Sequence, residues 1–252
     1  MLRVKEMSDF HTSPRLYVSC ALNMGNSCEL DQNQSHYLAN VMRLQLGEPV
    51  RIFNGADGEH LATVAKIAKR NVTLDIKQQL RSQNMEPDIW LCCTPIKRLH
   101  FDDLVMKACE LGVNSIQPIL TNRAQVREIN VERLRAIAIE AAEQSDRLSI
   151  PFIEEPLSLD RMIEIWPIDR IPLICAEFGT AQPIATALSQ VAKASSAAIF
   201  TGPEGGYQEE ELDKLRNLPN AMALRLGARI LRANTAAIAA LSCWQSICGD
   251  WR

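Results

Sequence analysis

Two glycine-rich segments carry the residues of this sequence that could hold a ligand. The first, TGPEGGYQEEEL (residues 201–212), joins an apolar strand-like run to a helix-like run. It has neither the lysine of G-x-x-x-x-G-K-[ST] nor the spacing of G-x-G-x-x-G, so it matches neither phosphate-binding pattern. A helix N-terminus attracts each negative charge by only about 0.3–1 kcal/mol. Four nearby carboxylates would already satisfy this attraction and would repel a polyphosphate: Glu204, Glu209, Glu210 and Glu211. The pattern therefore favours a ligand without phosphates.

The same segment also fits an ordinary tight turn, because Gly-Pro and Gly-Gly pairs are common between strands and helices. A second segment, LRLGARILRANTAAIAAL (residues 224–241), favours the ligand-binding interpretation. It places Arg225, Arg229 and Arg232 around Gly227, ahead of an apolar helix for which Asn234 is predicted to be the N-cap. These arginines are either surface charges or a cluster that binds an RNA backbone or a base edge.

The elements that must position these segments form an alternation of apolar strand-like runs and amphipathic or apolar helices. It occupies the chain from residue 89 onwards and predicts a parallel sheet covered on both faces, in an α/β domain. Both glycine segments would then follow the carboxyl ends of strands, where open α/β sheets bind ligands. The predicted strands are IWLCCTPI, SIQPILT, IPLICAE, AAIFTG and MALRLG, and the predicted helices are FDDLVMKACELG, NVERLRAIAIEAAEQSDR, QPIATALSQVAKA, EELDKLRNL and NTAAIAALSCWQSICGD.

The first 80 residues have a different pattern. Short β-branched runs separated by turn residues predict a small β module, and NGADGEH between two of them is a strong hairpin signal. One helix is predicted in SHYLANVMRLQLG, with Leu38, Val41, Met42 and Leu46 on its apolar side and Gly47 at its end. The polar segment at residues 80–88 separates the two patterns, so the predicted domains are residues 1–82 and 83–252.

Composition excludes several classes of protein. The 252 residues are 47% hydrophobic and carry a formal net charge of −3, so the chain can bury a core and is no polycation. No apolar run approaches the roughly 18 residues of a membrane span, and the N-terminus lacks a signal core of about 7–15 apolar residues. The eight cysteines and four histidines show no zinc-ligand spacing, which predicts no metal site and free thiols in a reducing cytoplasm.

The motifs GPEGGY, with Glu211 four residues past the tyrosine, and LGARILRANTA resemble the signature of a known family. It is the RsmE family of SPOUT-class methyltransferases, which modify uridine N3 in small-subunit ribosomal RNA. HYLANVMRLQLGEPVRIFNGADGEH is similar to that family's RNA-binding β-barrel, which is related to PUA domains. KRLHFDDLVMKACELGVNSIQPILTNRA and RLRAIAIEAAEQSDR are similar to its first two strand–helix units. The resemblance covers nearly the whole chain.

The resemblance implies an N-terminal PUA-like β-barrel and a C-terminal α/β domain with a trefoil knot. It implies S-adenosylmethionine as methyl donor and a cytoplasmic homodimer without membrane or DNA contacts. Its substrate would be 16S ribosomal RNA in the decoding region, within the small subunit. The implied cofactor-binding residues are Glu177, Thr201, Gly202, Pro203, Glu204, Gly205, Gly206, Leu226, Gly227, Ile230, Leu231 and Thr235.

The chemistry needs an acceptor nitrogen that loses its proton, and an arginine can stabilise the developing anion. Arg232 is the first candidate and Arg123 the second, while Arg15, Arg43 and again Arg123 are candidates for RNA contact. The chain departs from the family in Gln208, where Ser or Thr is usual, and in Asn234, where an acidic residue is usual.

Because Asn234 replaces the usual acidic residue, a catalytically silent RNA-binding or ribosome-assembly factor of the same fold remains an alternative. A SPOUT enzyme with another RNA target, or one that acts on a ribose 2′-oxygen, also remains an alternative. The absent phosphate-loop patterns disfavour a Rossmann-type nucleotide enzyme.

Overall fold

The computed structural model describes residues 10, 12–68, 71–176, 180–192 and 195–251. The chain divides into an N-terminal unit, Met1–Met85 with Ala142–Ser149, and a C-terminal unit, Glu86–Ala141 with Ile150–Arg252. Within the described ranges, no helix combines the length and the apolar character that crossing a membrane requires.

The N-terminal unit is a five-stranded sheet with the order β1-β3-β4-β5-β2. Its strands β3 and β4 form the hairpin that the NGADG turn predicts, and Asn54 Oδ1 accepts hydrogen bonds from the N–H groups of Ala56 and Asp57. The predicted β-branched runs RLYVSC, EPVRIFNG, HLATVAKI and NVTLDIKQQL correspond to β1, β3, β4 and β5, whereas β2 was not predicted because its sequence, SCE, has no β-branched residue. The strands are β1 (Arg15–Tyr17), β2 (Ser27–Glu29), β3 (Pro49–Phe53), β4 (Glu59–Ile67) and β5 (Val72–Arg81).

The predicted helix of this unit is wrong in its extent and in its apolar side. Helix α1 (Gln32–His36) continues as one π-helical turn (Tyr37–Val41) and stops well before Gly47. Leu38 is buried, but Val41 is 59% and Leu46 66% exposed. The π-helical turn is wider than an α-helical turn, and Arg43 follows with a left-handed φ of 56°, so the 3.6-residue period that would align these side chains is lost.

Cysteine pairing in this unit also differs from the prediction. Cys20 and Cys28 are joined by a disulfide, so the prediction of free thiols is wrong for this pair. The other six cysteines, all among the described residues, form no disulfide, and four of them are buried: Cys92, Cys93, Cys109 and Cys248.

A buried charge cluster fixes residues 142–149 to the sheet of the N-terminal unit. Glu59 is 2% exposed, and its carboxylate accepts hydrogen bonds from Arg15 Nε at 2.5 Å and Arg81 Nε at 2.9 Å. Arg51 Nη1 lies 3.7 Å from the same carboxylate. The remaining donors of Arg15 bind the carbonyls of Ala142 and Arg147, each at 2.6 Å.

This cluster gives Arg15 a structural role. The side chain is buried and its guanidinium stacks 3.8 Å over the Phe53 ring. Burial lowers the pKa of Arg15, although the hydrogen bond and charge of Glu59 act in the opposite direction. Its donors are used internally, which disfavours a phosphate contact, and the contact of Arg15 with RNA stays a prediction.

The C-terminal unit is built on a parallel sheet with the order β11-β13-β10-β12-β6-β7-β8, in which β9 pairs with β7. The predicted parallel α/β sheet is therefore confirmed. Its strands are β6 (Ile89–Cys93), β7 (Ser115–Leu120), β8 (Phe152–Ile153), β9 (Leu157–Ser158), β10 (Ile171–Cys175), β11 (Gln182–Pro183), β12 (Ala197–Thr201) and β13 (Met222–Arg225).

Helices α2 (Arg98–Glu110), α3 (Val131–Gln144), α6 (Glu209–Arg216) and α7 (Ala233–Ile247) occur where the sequence predicts them. Helix α4 (Leu159–Glu164) and strands β8 and β9 were not predicted, because two- to six-residue elements are too short to show a period. Helix α5 (Ile184–Leu188) is shorter than the predicted QPIATALSQVAKA. Part of that predicted helix, residues 193–194, lies outside the described residues.

Helix α7 packs against the sheet through its buried face, which includes Ala237, Leu241 and Trp244. Gln245 is fully buried, and its Nε2 donates to the carbonyl of Leu111 at 2.6 Å. This bond ties the end of α7 to the turn after α2, where Gly112 has a φ of 75°. The start of α7 is thereby held near the carboxyl ends of the strands.

Candidate active site

A cavity of about 250 Å³ opens at the carboxyl edge of the parallel sheet in the C-terminal unit. In the sheet, β10 lies between β12 and β13, so the loops that follow β12 and β13 flank the end of β10. Both glycine segments therefore border one cavity, at the position where open α/β sheets bind ligands. The residues named from the sequence that line it are Arg123, Thr201, Gly202, Pro203, Glu204, Gly205, Gly206, Leu226, Gly227, Ile230 and Leu231.

Four other candidate residues are not among the described lining residues. Glu177 lies outside the described residues. Arg232 and Thr235 are both exposed, at the start of α7, and neither is among the residues that line the cavity. Arg43 is exposed in the N-terminal unit, where its contact with RNA stays a prediction.

Several lining residues were missed from the sequence alone. Cys175 and Ala176 lie at the end of β10, and only the order of strands in the sheet brings them between the glycine segments. Tyr207 and Leu212 could have been found from their place in the first segment, and Ala228 from its place in the second; Arg225 and Arg229 were singled out there as a possible RNA-binding cluster rather than as cavity residues. The remaining missed residues are Leu224, Ala233 and Ala236.

The first glycine segment needs small residues for specific reasons. A Cβ on Gly202 would lie 3.0 Å from the Tyr207 ring, so glycine lets the ring pack directly on the backbone. Gly206 has a φ of 68° and donates its N–H to the carbonyl of Pro203 at 2.9 Å, which closes the turn. Thr201 is buried at the end of β12. The backbone therefore forms this wall of the cavity.

The charge distribution at the cavity differs from the one expected from the sequence. Of the four glutamates in the first segment, Glu204 alone lines the cavity, whereas three arginines, Arg123, Arg225 and Arg229, are among its lining residues. The argument that carboxylates would repel a phosphate-bearing ligand is therefore wrong in that form. Selection of the ligand must come from the shape of the cavity and the backbone of its two loops.

Glu211 has a structural position beneath the first segment. It is 4% exposed, and its carboxylate accepts hydrogen bonds from the backbone N–H of Gln208 and of Asn122, both at 2.8 Å. Asn122 Nδ2 also donates to Gln208 Oε1 at 2.8 Å. Glu211 thus joins the start of α6 to the loop after β7, and Gln208 takes part in this bracing where the family usually has Ser or Thr.

Arg123 reaches the cavity from the loop after β7. Its Nη1 donates a hydrogen bond to the carbonyl of Gly205 at 2.8 Å, and the side chain is exposed. This bond orients the guanidinium across the first glycine segment. No described residue accepts a hydrogen bond from the other donors of this guanidinium, which leaves them available to a bound anion.

The second glycine segment forms the opposite wall. Gly227 has a φ of 103°, in a region that side-chain-bearing residues rarely adopt, and Ile230 beyond it is 74% exposed. Arg232 is the N-cap of α7, and its carbonyl accepts the Ala236 N–H at 2.8 Å. The prediction that Asn234 caps this helix is wrong: Asn234 lies within the first turn, and its Oδ1 accepts the N–H of Thr235 at 3.0 Å.

Tyr207 places a buried hydroxyl beneath the cavity. No described residue is its hydrogen-bond partner. Burial, followed by the nearby thiols of Cys92 and Cys175, raises the pKa of Tyr207 well above its usual value. Burial likewise raises the pKa of Cys175 to about 12. The phenol and the thiol are therefore neutral at physiological pH, and neither is a nucleophile or base for this site.

Replacing Tyr207 by phenylalanine should raise the free energy of unfolding by about 1 kcal/mol, because it removes a buried polar group without a protein partner. Urea unfolding would measure this, with Tyr37→Phe on the exposed π-helical turn as the unaffected control. A loss of stability on Tyr207→Phe would show instead that the hydroxyl is hydrogen-bonded, for example to an ordered water.

Comparison with known proteins agrees with this arrangement. A family model described as an RNA methyltransferase domain matches residues 83–245, and one described as an RNA methyltransferase PUA domain matches residues 30–77. The mixed α/β architecture with a PUA module predicted from the sequence is thus confirmed. Fold and site together define the class of RNA methyltransferases.

Individual similar proteins define a narrower family than the two domain models do. The chain is 33% identical over 229 residues to the ribosomal RNA small subunit methyltransferase E of Rickettsia conorii, covering 90% of this chain and 93% of that protein. It is 29% identical, with a TM-score of 0.86, to the Neisseria gonorrhoeae enzyme of that name crystallised with S-adenosylmethionine, covering 95% and 100% of the two chains. A Legionella pneumophila methyltransferase in complex with the same cofactor gives 29% identity and a TM-score of 0.82, covering 94% and 99%. This chain belongs to the family of ribosomal RNA small subunit methyltransferases E.

Proposed function

We propose that this protein methylates N3 of one uridine in the decoding region of 16S ribosomal RNA, with S-adenosylmethionine as methyl donor. The observation that carries the proposal is the cavity at the carboxyl edge of the sheet, lined by both glycine segments. The names of the relatives support small-subunit ribosomal RNA as substrate, and the cofactor seen in two similar structures supports the donor. Uridine N3 follows from the resemblance of the two motifs to the RsmE signature.

The residues present fit this cofactor. Gly202 and Gly227 leave backbone rather than side chain facing the ligand. Leu226, Ile230 and Leu231 supply apolar surface for an adenine ring. When bound, S-adenosylmethionine supplies a methyl group activated by a sulfonium. Glu177 and Thr235 remain predicted contacts.

The protein's own task is alignment and electrostatic stabilisation. The acceptor nitrogen loses its proton before or during its attack on the methyl carbon, so negative charge develops on the uracil ring. We assign its stabilisation to Arg232 and Arg123, since a guanidinium held in place lowers the energy of such a charge. Uridine N3 lies on the Watson–Crick edge, so the target must be unpaired or drawn out of the helix.

The resemblance also supports a cytoplasmic homodimer with a trefoil knot in each chain, acting on the small subunit and without DNA contacts. Helix α7 leaves Ile238, Cys243 and Ile247 only partly buried, which supports the packing of a second copy against it. Sedimentation velocity on the purified protein would test the dimer.

Replacing Gly227 by alanine should weaken S-adenosylmethionine binding about 10-fold, because a φ of 103° costs a residue with a Cβ roughly 1–3 kcal/mol and the free protein relieves this strain by leaving the conformation that lines the cavity. No atom lies within 4 Å of the added Cβ, so backbone strain is the sole cause. Isothermal titration calorimetry would measure the affinity. Gly25→Ala is the matched control, because Gly25 has a φ of 85° and equal space but lies in the N-terminal unit. Equal affinities in the two variants would contradict this role of the second glycine segment.

The function is tested by incubating the protein with methyl-labelled S-adenosylmethionine and small subunits from cells that lack the modification. Incorporation of label into the RNA is expected. Cofactor binding without incorporation, while a relative labels the same subunits, would favour the catalytically silent RNA-binding factor.

A further inference from the structure

An exposed leucine stands among cations at the start of α2. Leu99 is 82% exposed, although the following Phe101 is buried. Lys97, Arg98 and His100 are all exposed around it. A large apolar side chain among solvent-exposed cations stabilises nothing in the fold of this chain, so a ligand with both apolar surface and negative charge would suit it.

The sheet places this patch, residues 97–100, at the carboxyl edge that carries the cavity. Strand β6 lies between β12 and β7, and the N–H of Thr94, just past β6, donates to the carbonyl of Thr201 at 3.0 Å. The segment from β6 to α2 therefore leaves the sheet directly beside the first glycine segment. On its other side follows the loop that carries Arg123.

The charge of the patch is uncompensated. The first turn of α2 contains no acidic residue, and the next two carboxylates, Asp102 and Asp103, are paired with Arg133 and Lys107. No described carboxylate forms an ion pair with Lys97, Arg98 or His100. Further exposed cations follow other strands at the same edge: Arg123, Arg127, Arg225 and Arg229. The adjacent first glycine segment also carries exposed carboxylates, but among the described residues none of them is ion-paired with these cations: Glu204, Glu209 and Glu210.

We propose that the patch holds the RNA strand beside the methylated nucleotide, with Leu99 packed against an unpaired base and Lys97 and Arg98 on the adjacent phosphates. Apolar side chains that insert next to a base step keep it unstacked, and a target methylated on its Watson–Crick edge requires an unpaired neighbourhood. This inference rests on the proposed function, and it adds a contact that neither glycine segment provides.

The test compares Leu99→Ala and Arg98→Ala with two exposed controls in the same unit. The controls are Ile168→Ala, which lies just before β10 at the opposite edge of the sheet, and Arg161→Ala in α4. For each full-length variant, kcat and KM for unmodified small subunits are measured, with the Kd for S-adenosylmethionine and the salt dependence of RNA affinity.

Leu99→Ala should raise KM for the RNA about 5- to 10-fold, in the lower part of the range for a lost base contact. Its kcat, its cofactor affinity and the slope of log affinity against log salt should stay as in the wild type. Arg98→Ala should instead reduce that slope by about 0.7–0.9, the value for one phosphate contact. The controls should match the wild type.

Three results would overturn the inference. Leu99→Ala could match Ile168→Ala in every measurement, or lose cofactor affinity to the same extent as RNA affinity. It could also change the sedimentation coefficient, which would make the patch an interface between copies of the chain. If the wild type transfers no methyl group to the subunits, the proposed function fails and this inference fails with it; in the other cases only the inference fails.

Discussion

Replacing Arg232 by alanine is expected to lower kcat about 100- to 1,000-fold, the effect of removing one donor to a developing anion. The Kd for S-adenosylmethionine should remain unchanged, because the exposed Arg232 side chain does not line the cavity. The helix should also persist, since Arg232 caps α7 through its backbone carbonyl rather than its side chain. Single-turnover rates with saturating subunits, together with calorimetry of the cofactor, would separate the two quantities.

Arg161→Ala is the matched control, because Arg161 is exposed and its ion-pair partner among the described residues is Glu164, one helical turn away. It should keep the wild-type rate. An equal loss of rate and cofactor affinity in Arg232→Ala would show that Arg232 builds the cofactor site. An unchanged rate would transfer the catalytic assignment to Arg123.

The second large effect concerns stability. Replacing Glu59 by glutamine should lower the free energy of unfolding of the N-terminal unit by about 3–5 kcal/mol, the cost of removing one partner from a buried ion pair. The amide keeps the size of the side chain but removes the charge that pairs with Arg81, and it leaves Arg15 with Asp146 Oδ1 at 3.6 Å as its remaining described anion. Residues 142–149 should loosen as well, since Arg15 holds two of their carbonyls. Hydrogen exchange of peptides from β3, β4 and residues 142–149 would report the change.

Asp75→Asn provides the control in the same sheet. Asp75 is 40% exposed in its side chain and pairs with the similarly exposed Lys77. Loss of this pair should change stability by no more than about 1 kcal/mol. Similar exchange in the two variants would contradict the view that the Glu59 cluster holds the N-terminal unit together.

The parallel sheet was predictable because its strands are long apolar runs that alternate with helices. The glycine segments could be placed at the carboxyl edge because each follows such a run directly. Strand order could not be predicted, since periodicity says nothing of neighbours, and this is why Cys175 and Ala176 were missed at the cavity. The knot and the dimer remain predictions from the family resemblance.

The errors in single residues share a physical origin. Arg15 was named as an RNA contact because arginine often binds phosphate. In the structure it is buried against Glu59, which lies 44 positions further along the sequence. The carboxylates of the first glycine segment do not share one role. Glu204 lines the cavity, whereas Glu211 is buried and accepts hydrogen bonds from the N–H groups of Gln208 and Asn122. Asn234 is a good N-cap by type, yet the chain enters α7 two residues earlier at Arg232. Long-range packing, which spacing does not encode, determines each case.

The central claim is tested most directly by identifying the nucleoside that receives the methyl group. Small subunits from cells that lack the modification would be incubated with methyl-labelled S-adenosylmethionine and this protein, and the RNA digested to nucleosides and separated. The account predicts label on 3-methyluridine alone, which would also show that Asn234 is compatible with activity. Label on a ribose 2′-oxygen or on another base would contradict the assigned acceptor, while leaving the fold and the cofactor site as described.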